Sequence, residues 1–153
     1  MAVNMKRKLL STQNSLAPTI LRLFLGLVIF PHGAQKLLGW FNGYGFAGSM
    51  QYFTQAVGLP WIIGLIIILL EFFGALALLA GIATRVFSAL YLILALGIVW
   101  LTRLEFGFFM NWFGNQKGEG YEYFLFWIAI SLALLITGAG KYSVDAVLVK
   151  EKK

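Results

Sequence analysis

Four ionisable side chains lie in or beside apolar stretches of the sequence, where charged residues are rare. His32 and Lys36 lie four residues apart near the end of the first apolar segment, Glu71 lies within the second, and Glu122 begins the fourth. A charge at the centre of a bilayer costs at least ~2.5–3.5 kcal/mol, so such residues usually face the interior of a helical bundle and pair with one another. We therefore consider these four residues candidates for ligand binding or proton relay.

Helical geometry predicts how the four groups are arranged. His32 and Lys36, at positions i and i+4, share one helical face. At ~1.5 Å per residue, Glu71 lies about 15 Å into its helix, close to the membrane midplane. We expect Lys36 and Glu122 to meet near the outer surface, with His32 below them and Glu71 deeper. This arrangement would form a polar funnel that opens outward.

Glycines indicate which helical faces meet. Gly64, Glu71, Gly74 and Gly81 fall on one stripe of the second apolar segment. Because small residues allow membrane helices to approach closely, this stripe is predicted to be an interior seam, with Glu71 directed into the bundle. The same role is predicted for three glycines of the first segment: Gly26, Gly33 and Gly39.

Each candidate also has a purely structural interpretation. Lys36 could extend its ammonium group to the lipid headgroups, and Glu122 could be a first-turn carboxylate favoured by the helix dipole. His32 could be a hydrogen-bonded core histidine, and Glu71 could form a structural ion pair. A metal site formed by His32, Glu71 and Glu122 is chemically possible, but the sequence has no tight ligand motif. We assign no metal site and no catalytic residue.

A second polar set lies at the opposite ends of the apolar segments. Arg22 lies near the start of the first segment, Arg85 follows the turn GIAT, and Asp145 lies in GAGKYSVD after the fourth segment. Asp145 could pair with Arg22 or with Arg85. We interpret these three residues as a structural polar clamp.

The composition is that of an integral membrane protein. The 153-residue chain is 60% hydrophobic and 12% charged, whereas soluble domains are about half apolar and about a quarter charged. The absence of cysteine excludes thiolate and Fe–S chemistry, and the single histidine excludes a bis-histidine haem held by one chain. No intrinsic cofactor is therefore evident, and no nucleic-acid recognition module is present.

Four apolar segments approach the ~20 residues needed to cross a bilayer. Their runs are unbroken, which predicts helices rather than the alternating strands of a barrel. The fold class is therefore all-α, a polytopic four-transmembrane-helix bundle with short interfacial helices in the outer loops. The predicted parts are a basic N-terminal tail (1–15), a transmembrane domain (16–140) with spans at about 16–38, 61–80, 86–101 and 121–137, and a C-terminal tail (141–153).

Basic residues predict the orientation of the bundle, because they are enriched on the cytoplasmic side of a membrane. With both termini cytoplasmic, three basic residues lie towards the outside: Lys36, Arg103 and Lys117. Eight lie at the cytoplasmic face: Lys6, Arg7, Lys8, Arg85, Lys141, Lys150, Lys152 and Lys153. The sequence thus predicts a multi-pass protein of the plasma (inner) membrane, and the net charge of +6 is mainly a topology signal.

The two predicted outer connections, residues 40–60 and 103–120, are rich in aromatic residues. In the first connection, Phe46, Met50 and Phe53 follow helical spacing, which predicts a short helix lying in the interface. The aromatic residues could form a belt at headgroup level. Alternatively, the two connections could form apolar lids over a cavity that opens outward.

The apolar segments and their polar residues resemble those of the DoxX family, four-helix membrane proteins from bacteria and archaea. The resemblance covers nearly the whole chain and depends on four blocks in order: RLFLGLVIFPHGAQKLLGWF, EFFGALALLAGIATR, GYEYFLFW and GAGKYSVD. The polar positions that carry it are His32, Lys36, Glu71, Arg85, Glu122 and Asp145. Family membership would imply a quinone-linked redox role in a plasma membrane.

This resemblance leads to one principal hypothesis and two alternatives. The principal hypothesis is a membrane subunit that binds a quinone or a small aromatic molecule, with electrons carried by a redox partner subunit. His32 and Glu71 would move protons, and Lys36 would stabilise a developing quinolate. The alternatives are a proton-coupled transporter of an apolar weak acid or phenol, and a non-catalytic anchor for a redox complex. A homodimer would cover part of the apolar outer surface.

Overall fold

The described part of the chain is a bundle of helices. The computed structural model describes residues 9–150 and shows no strand among them. The bundle helices are α1 (Leu16–Leu38), α3 (Trp61–Ala80), α4 (Thr84–Phe106) and α5 (Glu122–Thr137), with α2 (Gly45–Gln51) in the first connection and α6 (Val144–Lys150) after the last bundle helix. The predicted all-α fold class is confirmed.

Three bundle helices are long and apolar enough to cross a membrane. α1 has 23 residues, α3 has 20 and α4 has 23. The apolar helix α5 is shorter, with 16 residues, and at 1.5 Å per residue it extends ~24 Å against a hydrocarbon core of ~30 Å. α4 continues to Phe106, beyond the span of 86–101 predicted from the sequence, so Thr102 and Arg103 belong to a helix.

The two ends of the bundle differ. The loop end carries residues 39–60 and 107–121, and the termini end carries the turn at 81–83 and the segment 138–143. The predicted orientation depends partly on residues that lie outside the described range: Lys6, Arg7, Lys8, Lys152 and Lys153. The two ends are therefore called the loop end and the termini end, without reference to a compartment.

The helices are not packed evenly around one axis. α1 packs along α3 and also contacts α5, and α4 packs along α5. α3 and α4 contact each other where α4 starts, next to the turn that joins them. The core contains Leu25, Ile29, Leu78, Tyr91 and Leu134, all nearly or fully buried. Towards the loop end, α3 and α4 leave a space between them.

The closest contact between α1 and α3 occurs at Gly33. A Cβ atom at this position would lie 2.5 Å from the backbone nitrogen of Phe72 and 2.6 Å from the carbonyl carbon of Glu71. Gly26 also faces α3, since a Cβ atom there would lie 3.1 Å from the carbonyl oxygen of Ala75. These two glycines form the predicted seam. Gly39 does not belong to it, because it ends α1 in the left-handed conformation, with φ 73°.

The part of α3 that faces Gly33 is a π turn. Residues Leu70–Gly74 form this wider turn, which includes Glu71. The Leu70 carbonyl oxygen accepts a hydrogen bond of 2.9 Å from the hydroxyl of Tyr91 on α4. Gly74 leaves room for that hydroxyl, because a Cβ atom there would lie 2.8 Å from it. π turns within helices frequently occur at functional sites, and this one places a buried carboxylate between two helices.

Replacing Gly33 with alanine should destabilise the bundle, because the added methyl group has no room against the α3 backbone. Overpacking of this kind costs ~1–3 kcal/mol, so the midpoint of thermal unfolding in detergent should fall by several degrees. The matched control is Gly97→Ala in α4, where a Cβ atom meets nothing within 4 Å. Its midpoint should stay level or rise, since alanine favours a helix by up to ~1 kcal/mol over glycine. Equal midpoints for the two variants would contradict the packing described here.

Candidate functional site

A cavity of about 470 Å³ lies between α3 and α4 towards the loop end. All four bundle helices and the segment after α2 contribute to its lining, which is mostly aliphatic with a group of aromatic side chains: Tyr52, Phe53, Tyr123, Phe124 and Trp127. The polar and charged lining residues are few: His32, Lys36, Glu71, Thr102 and Arg103. An apolar cavity of ~300–1,000 Å³ with a few polar groups is typical of a small-molecule site.

The cavity contains a buried ion pair. The ammonium nitrogen of Lys36 lies 2.5 Å from Oε2 of Glu71. The Glu71 side chain is 5% exposed and that of Lys36 is 26% exposed. The close approach of α1 to α3 at Gly33, one turn before Lys36, brings the two charges together. A carboxylate buried without a partner would be strongly unfavourable, so each charge depends on the other.

His32 lines the same cavity from α1, one helical turn before Lys36. Its side chain is exposed rather than in the core, and its ring has no hydrogen-bond partner among residues 9–150. The interpretation of His32 as a hydrogen-bonded core residue is therefore not supported. In this position the imidazole is available to a molecule in the cavity.

Glu122 does not join the other three candidates. Its carboxylate accepts a hydrogen bond of 3.2 Å from the backbone N–H of Met110, in the connection that precedes α5, and it is not among the cavity-lining residues. The expected contact between Lys36 and Glu122 is not formed, because Lys36 is directed towards Glu71 instead. Within the described residues no three His, Asp or Glu side chains gather to hold a metal ion. The alternative metal site of His32, Glu71 and Glu122 is therefore not supported.

Arg103 lines the cavity, although it is not among the site residues predicted from the sequence. It ends a π turn of α4, Val99–Arg103, and its guanidinium carbon lies 5.9 Å from the ring centroid of Phe124. Its Nε atom is buried and has no hydrogen-bond partner within residues 9–150. The helical spacing of Trp100, Leu101 and Leu104 is the signal that could have placed Arg103 in the helix.

The predicted clamp residues lie at the termini end, and Arg22 is the most extensively bonded. It is 2% exposed and donates hydrogen bonds of 2.6–2.9 Å to four backbone carbonyl groups, those of Leu78, Leu79, Ala139 and Tyr142. The first two carbonyl groups belong to the last turn of α3, and the other two follow α5. Arg22 therefore joins α1 to the ends of two other helices.

Asp145 binds the start of α4. Its carboxylate oxygens accept hydrogen bonds from the backbone N–H groups of Ala83, at 2.8 Å, and Thr84, at 2.9 Å. These donors have no partner within the helix, so the carboxylate acts as a cap. Within the described residues, Asp145 lies within ion-pair distance of neither Arg22 nor Arg85. The suggested ion pair is thus replaced by backbone hydrogen bonds.

Arg85 also binds backbone carbonyl groups rather than a carboxylate. Its terminal nitrogens donate to Leu135 at 2.7 Å and to Ile136 at 2.8 Å, both in the last turn of α5, and its Nε donates to Ser11 at 3.1 Å. A cation near a helix C-terminus is favoured by the helix dipole. The three clamp residues close the termini end of the bundle.

The fold and the cavity define a polytopic helical membrane protein with a ligand-sized cavity beside a buried ion pair. The DoxX family model matches residues 17–104, which include Lys36, Glu71 and Arg103. The chain is 39% identical over 118 residues to "Inner membrane protein YqjF" of Escherichia coli (strain K12), covering 74% of this chain and 82% of that protein. It is 29% identical over 134 residues to "Putative oxidoreductase CatD" of Bacillus subtilis (strain 168), covering 88% of each. The chain belongs to the DoxX family. No solved structure matches it.

Removing either partner of the Lys36–Glu71 pair should destabilise the protein. Lys36→Met should cost more than Glu71→Gln, because it leaves the more deeply buried charge unpaired; we expect up to ~3 kcal/mol, since Lys36 is partly exposed. The double variant should lose less stability than the sum of the single variants. The measurement is a double-mutant cycle of unfolding in detergent. Additive losses would show that the two side chains do not interact.

Replacing Asp145 with alanine should free two backbone donors at the start of α4. The loss of such a cap costs ~0.5–2 kcal/mol, so thermal unfolding in detergent should begin at a lower temperature. Asp145→Asn should lose less, because the amide keeps one acceptor oxygen. The control is Lys141→Ala, which removes an exposed side chain from the neighbouring segment. A midpoint for Asp145→Ala equal to that of the control would contradict the capping role.

Proposed function

We propose that this protein is a quinone-linked membrane subunit that binds a quinone or a similar small aromatic molecule in the cavity between α3 and α4 and supports electron transfer in the membrane. The observation that carries the proposal is the cavity itself, which combines a ligand-sized apolar space with the Lys36–Glu71 pair. The aromatic side chains of the lining suit a flat ring, which packs favourably in offset or edge-on arrangements against them.

The charged groups of the cavity suit the oxygens of a quinone. An ammonium group has three N–H donors, so Lys36 can keep its contact with Glu71 and still donate to a carbonyl oxygen of a ligand. When a quinone is reduced, negative charge develops on its oxygens, and a fixed cation beside them stabilises that charge. His32, on the same helical face, can exchange a proton with the ligand.

The electrons must come from outside the chain in this proposal. The sequence has no cysteine and one histidine, so it cannot supply the ligands of an Fe–S cluster or a bis-histidine haem. We propose a redox partner subunit as the electron donor. The relative from Bacillus subtilis carries the word oxidoreductase in its name, which supports an association with redox chemistry.

The name of the Escherichia coli relative supports a location in the bacterial plasma membrane. We further propose that the termini end faces the cytoplasm, where Arg85 and Lys141 lie and where basic residues are favoured. A transporter would need to open its cavity at both ends of the bundle. The hydrogen bonds of Arg22 join three helical elements at the termini end, which favours a binding subunit over a transporter.

Binding of ubiquinone and menaquinone to the purified protein in nanodiscs tests this proposal. The wild-type protein should bind at least one of them saturably, and Lys36→Met should weaken that binding about tenfold or more, the loss expected when a charge-assisted hydrogen bond of ~1.5–3 kcal/mol is removed. Glu71→Gln should weaken it less, because the ammonium group remains.

The matched control is Lys117→Met, which removes an exposed lysine of the connection between α4 and α5. Its quinone affinity should equal that of the wild type. Absence of saturable binding in the wild-type protein would overturn the proposed quinone site.

A further inference from the structure

Arg103 is a cation in the cavity that forms no ion pair with a carboxylate of the described chain. Among residues 9–150 the ion pair of Lys36 with Glu71 is the only one formed, and it uses the one carboxylate of the cavity lining. We propose that Arg103 binds the acidic oxygen of an aromatic ligand, a carboxylate or an ionised phenol or enol, in this cavity. The inference rests on the proposed function only in requiring that the cavity accepts an aromatic ring.

The charge balance of the cavity is the first argument. Lys36 and Glu71 neutralise each other, so Arg103 leaves the lining with one excess positive charge. An unbalanced charge within a membrane-embedded space is unfavourable, and such residues usually find a partner of opposite charge. A ligand that brings a negative oxygen supplies the missing charge.

The position of the guanidinium group is the second argument. Its carbon lies 5.9 Å from the ring centroid of Phe124, which is 8% exposed and also lines the cavity. The guanidinium group therefore lies beside a buried ring of the cavity lining. The aromatic ring interacts with the positive charge, but it accepts no conventional hydrogen bond from the N–H groups in the guanidinium plane.

The buried Nε of Arg103 is the third argument. It has no acceptor within the described chain, and a buried donor without an acceptor is unfavourable. Guanidinium donors form a planar fork that matches the two oxygens of a carboxylate. An acidic oxygen bound here would accept the hydrogen bond that Nε does not form within residues 9–150.

The mouth of the cavity limits what the rest of the ligand can be. The exposed aliphatic residues of its lining lie on α3 and α4: Ile63, Ile66, Leu90, Ile93 and Leu101. Because these helices are apolar enough to cross the membrane, this mouth opens towards the hydrocarbon of the bilayer. The ligand that fits both features has an apolar aromatic body and one acidic group.

The test compares 2-naphthoate with methyl 2-naphthoate, which share a ring system and differ in charge. Equilibrium binding to the protein in phosphatidylcholine nanodiscs is measured at neutral pH, with empty nanodiscs subtracted. The partition of each compound into the lipid is the same for every variant, so the ratio of acid to ester affinity is compared between variants, and Arg103→Gln should reduce it at least tenfold below the wild-type ratio. Arg103→Lys, which keeps the charge without the fork, should reduce it about threefold. The control Lys117→Gln should leave the ratio unchanged.

An unchanged ratio in Arg103→Gln would overturn the inference. Should Arg103→Gln fail to fold, an unchanged ratio in Arg103→Lys would overturn it equally. Menaquinone binding in the same nanodiscs separates the two proposals. If menaquinone binds and the acid-to-ester ratio does not depend on Arg103, the inference about Arg103 is wrong and the quinone proposal stands. If the acid-to-ester ratio depends on Arg103 and menaquinone does not bind, the quinone proposal is wrong and the inference about Arg103 stands.

Discussion

The contact between Gly33 and the π turn of α3 is the constraint on which the cavity depends. The absence of a side chain at Gly33 lets the backbones of α1 and α3 touch, and one turn further along α1 the ammonium group of Lys36 meets Glu71. A larger residue at position 33 would separate two charges that each need the other in a medium of low dielectric constant. The same π turn also accepts a hydrogen bond from the hydroxyl of Tyr91 on α4.

The polar residues of the two ends have different partners. At the termini end, Arg22, Arg85 and Asp145 bind backbone groups at the ends of helices, and this satisfies groups that a helix leaves unpaired. Their charges are therefore used to join elements. Around the cavity the charges are carried by side chains that face one another or an open space. The termini end therefore uses its charges on backbone groups, whereas the cavity keeps charged side chains in its lining.

The periodicity of a sequence predicts which segments are helical and which face of each helix is buried. The unbroken apolar runs predict the helical class, and Gly26 and Gly33 predict a close-packed interior face of α1, which the structure places against α3. The relative height of two helices is not contained in either periodicity. For this reason the depth estimate predicts a contact between Lys36 and Glu122, whereas in the structure Lys36 pairs with Glu71.

Two other differences have equally local causes. The apolar run stops at Leu101 and predicts a span of 86–101, but α4 continues to Phe106 through a π turn and a short 3₁₀ turn, which include Arg103 and Leu104. Asp145 was expected to bind an arginine, but its partners are the backbone N–H groups of Ala83 and Thr84. Backbone donors at a helix start are the same for every sequence, so residue types alone do not reveal them.

For the proposed ligand site, a mouth between α3 and α4 determines whether the concentration in the bilayer or the concentration in water controls occupancy. A site that fills from the bilayer responds to the mole fraction of a molecule among the lipids, and only indirectly to its amount in water. Two compounds that make identical contacts in the cavity will therefore differ in apparent aqueous affinity by the ratio of their partition coefficients. Lipid-to-protein ratio becomes a variable of the binding equilibrium, and dilution with additional bilayer weakens apparent binding without any change in the protein.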